Sequence, residues 1–263
     1  FPVLKEEKDF IMTLAPTSSA KPLFYTNPIP LDTQAHKTAG IRENLGLGFA
    51  SGAHAVPANM IEFAQLCHTY PIVFAPDESA TPIVVMGLRE GENLFVTPKG
   101  EWAEAGSYIP SYIRRYPFIL AEITGTQQMT LCIEDTPAVL DSKSAMKLLD
   151  ASGKPTAMTN NALEFCKSFH AATLQTREFC AALIKHNLLV PREAEIPVAK
   201  GQAIRFGGFR ILDEAKWAAL DDKTLADFHR RGFLAAGYAA LFSAGQWARL
   251  SRLYATRTGQ KAA

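Results

Sequence analysis

The chain has 263 residues, enough for one large domain or two small ones. Apolar residues make up 48% and charged residues 20%, a globular balance that excludes a disordered tail or a polytopic membrane protein. Lys and Arg total 27 against 26 for Asp and Glu, so nucleic acid or anionic lipid could be bound only by a local patch.

Residues 1–21 are expected to be a flexible N-terminal segment. Phe1–Ile11 reads as a remnant or upstream read-through, and Met12 as the native start. Charges at Lys5, Glu6, Glu7, Lys8 and Asp9 break any secretory core in this stretch. A signal trimmed before Phe1 stays open. Lys21–Leu31, with three prolines, reads as an extended arm lying on the body through Leu23, Phe24 and Tyr25. Gly40–Ala55 is loop-like. Pro57 is expected to open a short helix, Ala58–His68, with apolar residues at three- and four-residue steps.

Short β-prone runs follow at Pro71–Ala75, Ile83–Leu88 and Asn93–Thr97, then at Tyr116–Ile123 and Gln128–Ile133 with Gly125 in the turn. Their close spacing favours an antiparallel meander over a doubly wound sheet. A short helix is expected near Ser142–Leu149. A long helix capped by Asn160 or Asn161 runs to about Asn187, with Phe165, Phe169, Ala172, Thr176, Phe179 and Leu183 on one face. Pro191 should end that region. Glu195–Ala199 and Gln202–Ile211 read as a hairpin across Lys200-Gly201, with a bulge at Gly207-Gly208. The tail is helical: Asp213–Leu220, Thr224–Arg231, and a last helix to about Tyr254. The order predicts an α+β fold: an antiparallel β meander in the N-terminal half, a helix-rich C-terminal half, and a late β-hairpin returning to the sheet.

Gly232–Ala248 carries no charge over 17 residues. It is shorter than the roughly 20 apolar residues of a span and rich in Ala and Gly. A buried helix with a basic last turn is expected, and no transmembrane segment.

Several stretches together, in this order and spacing, resemble the SapC family of bacterial proteins. They are PLFYTNPIPL (Pro22–Leu31), YPIVFA (Tyr70–Ala75), GLREGENLFV (Gly87–Val96), YIPSYIRRYPFILAE (Tyr108–Glu122), LCIE (Leu131–Glu134) and GGFRILDEAKWAAL (Gly207–Leu220). The resemblance covers nearly the whole chain after Lys21, so residues 22–258 are expected to form one SapC-like domain. It implies a surface-layer-related protein of largely unknown function, and carries no catalytic residues over. A peptide-transporter permease label borne by some members conflicts with the absence of spans.

Chemistry-bearing residues are sparse. Cys67, Cys132, Cys166 and Cys180 form no C-x-x-C pair and read as buried free thiols of a reducing compartment. Cytoplasmic residence is therefore expected, with envelope association the alternative. Cys166 and His170 share a helical face at i and i+4, but no third ligand follows, so no metal is expected. His54 and His68 flank the Pro57 helix without an evident carboxylate. Nucleophile elbows and phosphate loops are absent, and no cofactor is expected. Asp221-Asp222 reads as a helix cap.

Tyr108–Phe118 is the richest segment. Pro110 should open one helical turn and Pro117 should stop it and begin a strand. Between them Tyr112, Arg114, Arg115 and Tyr116 combine planar cations with amphipathic rings, a composition suited to binding. One arginine is expected to face out and the other to pair with an acid such as Glu122 or Glu134. Two function classes follow. The first is a non-enzymatic accessory or binding protein of an envelope, surface-layer or uptake pathway, recognising a peptide or protein partner. The alternative is an enzyme acting on a peptide or small molecule through a non-local active site.

Overall fold

The computed structural model describes residues 12–13, 21–122, 129–197 and 203–259. The N-terminal strands are short, and the connection 75–81 is too short to hold a crossover helix. β3 (Ala55–Pro57), β4 (Ile72–Phe74) and β5 (Pro82–Val85) accordingly pair antiparallel, in the spatial order β4-β5-β3. The late hairpin, β8 (Leu189–Pro197) and β9 (Ala203–Leu212), returns to them. Phe74 on β4 faces Arg210 on β9, and Arg210 Nε donates to Ala75 O at 3.0 Å. β1 (Met12–Thr13) adds to β9 in parallel. A second sheet has the order β2-β7-β6, with β2 (Pro28–Pro30), β6 (Phe118–Glu122) and β7 (Met129–Glu134) antiparallel. With the helices that follow, this is an α+β fold.

The expected bulge at Gly207-Gly208 is present. The ladder slips between Arg192↔Phe209 and Ala194↔Phe206, and Gly208 has φ +75°. The turns at Gly125 and at Lys200-Gly201 lie outside the described residues, as does most of the N-terminal segment 1–21.

Helix α3 (Ala157–Lys185) organises the core. Its first half packs on the second sheet, where Cys166 joins Phe118, Leu131 and Ile133. Its second half enters the larger core, where Phe179 meets Phe63, Phe74 and Phe233. The helical tail covers that core with α4 (Glu214–Ala218), α5 (Asp222–Arg230), α6 (Phe233–Phe242) and α7 (Trp247–Thr258). Asp221 caps α5 by accepting from Thr224 N at 3.0 Å.

Several local expectations are corrected. Asn93–Thr97 is not a strand. The Asn93 side chain donates to Ala50 O (3.0 Å) and accepts from Phe95 N (2.9 Å), a local turn that competes with a ladder. Pro57 closes β3 rather than opening a helix. Ala58 N bonds Pro82 O and Met60 N bonds Thr176 Oγ1, so helix begins only with a 3-10 turn at Met60–Glu62 and α1 (Phe63–Leu66). Ser142–Leu149 is not a helix: Lys147 bridges Gly40 and Leu149 bridges Pro155. Thr156, not Asn160 or Asn161, caps α3. Pro191 lies inside β8, which tolerates it because β8 pairs on one side only among the described residues. The last helix breaks between α6 and α7, where Ser243 Oγ accepts from Ile72 N at 2.9 Å. No helix among the described residues is long and apolar enough to cross a membrane. In the arm, Leu23 is exposed and Tyr25 is buried.

Candidate functional site

The single helical turn expected after Pro110 is α2 (Ser111–Arg114), and Pro117 leads into β6. Glu62 anchors this turn. Its buried carboxylate accepts from Tyr108 Oη (2.7 Å), Ser111 N (2.8 Å) and the Ser111 hydroxyl. A turn held this firmly sends its two arginines in different directions.

Arg114 stays with the anchor. Its Nε donates to Ile109 O (2.9 Å), Nη2 donates to Tyr108 Oη (2.6 Å), and Nη2 lies 4.0 Å from Glu62. The acid partner is therefore Glu62, neither Glu122 nor Glu134. Glu134 is instead buried under the arm, where it accepts from Thr26 N at 2.9 Å and Asn27 N at 3.0 Å.

Arg115 takes the other course. Its guanidinium carbon lies 4.1 Å from the Tyr112 ring centroid and 4.6 Å from that of Phe169, with Tyr25 at 5.7 Å. Rings of this kind stabilise a cation by cation–π attraction while leaving its in-plane edge for hydrogen bonds. No carboxylate pairs with it among the described residues, and its Nε is buried without a hydrogen-bond partner. A buried donor in that state costs free energy unless something fills it.

Arg115 and Tyr112 line a groove of about 590 Å³. The floor is α3, which contributes Cys166, Phe169, His170, Thr173, Thr176, Arg177, Cys180, Ala181 and Ile184. These positions follow the three- and four-residue repeat of one helical stripe. Pro57–Asn59, Glu78, Ser79, Thr81, Pro82 and Leu120 form the walls. Arg115 and Arg177 line the groove with one carboxylate, Glu78, among the described residues, so the groove has a positive bias.

Cys166 and His170, paired by spacing, both line the groove. Among the described residues no group of three or more His, Cys, Asp or Glu could hold a metal. Burial pushes the Cys166 thiol up to about 11, with Arg115 pulling weakly the other way, and pushes Cys180 up to about 12. Both are thiols, not thiolates, at neutral pH.

The structure separates the other named residues. Tyr116 stacks on Phe49 at 4.0 Å, away from the groove. Arg114 and His68 line a second, more open depression of about 420 Å³ with Tyr108 and Ser107. His54 lies elsewhere, its ring pKa lowered by burial and its carbonyl accepting from Met86 N and Gly87 N. His68 thus meets Tyr108 and Arg114 in the open depression while His54 stays apart, so the three do not share one pocket. The α3 stripe was visible as an amphipathic face, but the part of it that no element covers was not.

No curated protein and no solved structure matches the chain significantly. The SapC family model, in contrast, matches residues 31–250, spanning α2, the groove floor and all but the end of the helical tail, and the chain therefore belongs to the SapC family.

Proposed function

We propose that this protein is a non-enzymatic binding or accessory protein whose α3 groove recognises a peptide segment of a partner, with Arg115 as the anchor. The observation that carries the reading is a guanidinium packed against the Tyr112 and Phe169 rings, lining the groove with no carboxylate paired to it among the described residues. An anion brought by a partner completes its hydrogen bonding with planar, charge-assisted contacts. The protonated thiols in the groove favour binding over thiolate chemistry. Placement in an envelope, surface-layer or uptake pathway draws its support from family membership.

The test is quantitative co-precipitation from native extract with three forms of the protein. Arg115→Gln should lose the partner at nearly unchanged thermal stability. Arg114→Ala should keep the partner and lower the melting temperature. Survival of every partner in Arg115→Gln refutes the reading.

A further inference from the structure

We infer that the groove holds the last residues of an extended peptide, its free α-carboxylate seated on Arg115. This rests on the binding reading above and adds the end and direction of the ligand.

Shape comes first. The groove residues of α3 run from Cys166 to Ile184, about 27 Å along the helix at 1.5 Å per residue. An extended chain, rising ~3.3 Å per residue, covers that length in about eight residues.

The Arg115 end is closed. The preceding turn of α3, Ala162 and Leu163, packs on the core that contains Phe118 and Leu131. Tyr25 seals the same corner by donating its hydroxyl to Phe118 O at 2.7 Å. A chain entering along α3 meets these groups and must stop. The charge arriving there is then a terminal carboxylate, whose planar fork suits a guanidinium that has no carboxylate paired to it among the described residues. Glu78, the one carboxylate lining the groove among the described residues, sits on the β4–β5 turn. Phe74 of β4 packs on Phe179, in the second half of α3, so the acid lies away from the anion.

The walls favour a peptide over an acyl chain. At the closed end Leu120 sits on edge strand β6, opposite Leu131, whose carbonyl is spent on Leu31 N at 2.8 Å. In an antiparallel ladder this alternation turns the Leu120 N–H and C=O away from β7. An alkyl chain would leave these groups without partners, whereas peptide amides can meet them.

The probe is a random octapeptide mixture made in two forms, with free C-terminal carboxylates and with C-terminal amides. Each is incubated with the full chain, and the retained fraction is read by mass spectrometry after gel filtration. The acid form should be retained at least tenfold over the amide, and Arg115→Gln should abolish the difference. Equal retention of both forms, lost in Arg115→Gln, overturns the terminal-carboxylate inference and leaves the groove-binding reading standing. No retention, or retention insensitive to Arg115, overturns both. Arg115-dependent binding of dodecanoate without any peptide retention also overturns both, in favour of an acyl carboxylate. Direction is checked without a mutation. An enriched peptide carrying a photoreactive residue at its last position should cross-link to 112–120 or 162–170, and at its first position to 78–82 or 181–184. The reverse pattern refutes the inference.

Discussion

Glu62 and Ser111 are joined by two hydrogen bonds, from the Ser111 backbone N–H (2.8 Å) and from its hydroxyl to the two oxygens of one buried carboxylate. This pair fixes α2 to the end of the 3-10 turn at Met60–Glu62, and α2 in turn aims Tyr112 and Arg115 at the groove. Glu62→Ala leaves the Ser111 N–H and the Tyr108 hydroxyl without their acceptor. The expected cost is about 2–4 kcal/mol, from the penalty of buried unsatisfied donors. Denaturant unfolding should show it, together with weaker groove binding because the turn is released. Unchanged stability would show that Tyr108–Arg114 is held by other contacts.

Arg114→Ala and Arg115→Gln should separate despite their adjacency. Arg114 donates to Ile109 O and Tyr108 Oη, so its loss should cost about 1–2 kcal/mol. The Glu62 ion pair adds little to this, because at 4.0 Å the partly exposed arginine is screened by water. Arg115→Gln removes the guanidinium and its charge but keeps a polar side chain beside the rings. Its melting temperature should move by less than that of Arg114→Ala. Equal destabilisation by both changes would make Arg115 a packing residue.

Gly237→Ala should be among the most damaging small changes in the helical tail. A Cβ at Gly237 would lie 2.1 Å from Trp217 Cζ2, and Trp217 is buried against Phe228. The indole is buried, so the clash is expected to cost about 2–3 kcal/mol. Calorimetry of the variant measures it, and a wild-type melting temperature would contradict the packing.

Glu134→Ala should release the arm without unfolding the body. The carboxylate accepts from the amides of Thr26 and Asn27, just before β2. Hydrogen exchange should accelerate at 26–31 while α3 stays protected. Protection unchanged at 26–31 would mean that β2 pairing alone holds the arm.

The groove thiols set an alkaline limit. Burial raises the folded pKa of Cys166 from 9.0 to about 11, so the fold favours the protonated form. Below pH 9 both folded and unfolded states are protonated, and the stabilisation is fully present. Between about 9 and 11 only the unfolded state ionises, so stability should fall as pH rises through that window. Melting curves from pH 8 to 11 on wild type and Cys166→Ala test this, with a shallower decline expected in the variant. Identical slopes would assign the alkaline loss to other groups.

Local grammar in the sequence determined much of the architecture. Pro110 and Pro117 bracket α2 because proline fits a first helical turn and stops a helix interior, and both limits are met. Apolar residues at three- and four-residue steps mark α3, and close strand spacing requires antiparallel pairing. Gly207-Gly208 announced the bulge through glycine's access to positive φ. Elements failed where a distant partner outweighed local preference. Met60 N goes to Thr176 and Ile72 N to Ser243, more than a hundred residues away in each case, and each bond shortens or breaks a helix.

The site divides along the same line. Residue type marked Tyr112 and Arg115 as binding groups, since planar cations beside amphipathic rings are intrinsically suited to anions. Nothing in the one-dimensional pattern distinguishes Arg114 from Arg115. That choice is made by Glu62, 52 positions upstream of Arg114, which captures one arginine and leaves the other to Phe169 on α3. Nor could periodicity reveal that part of the α3 stripe stays uncovered. Amphipathicity says that a face avoids water, whereas the arrangement of β3, the β4–β5 turn and β6 around it decides how much of that face is covered.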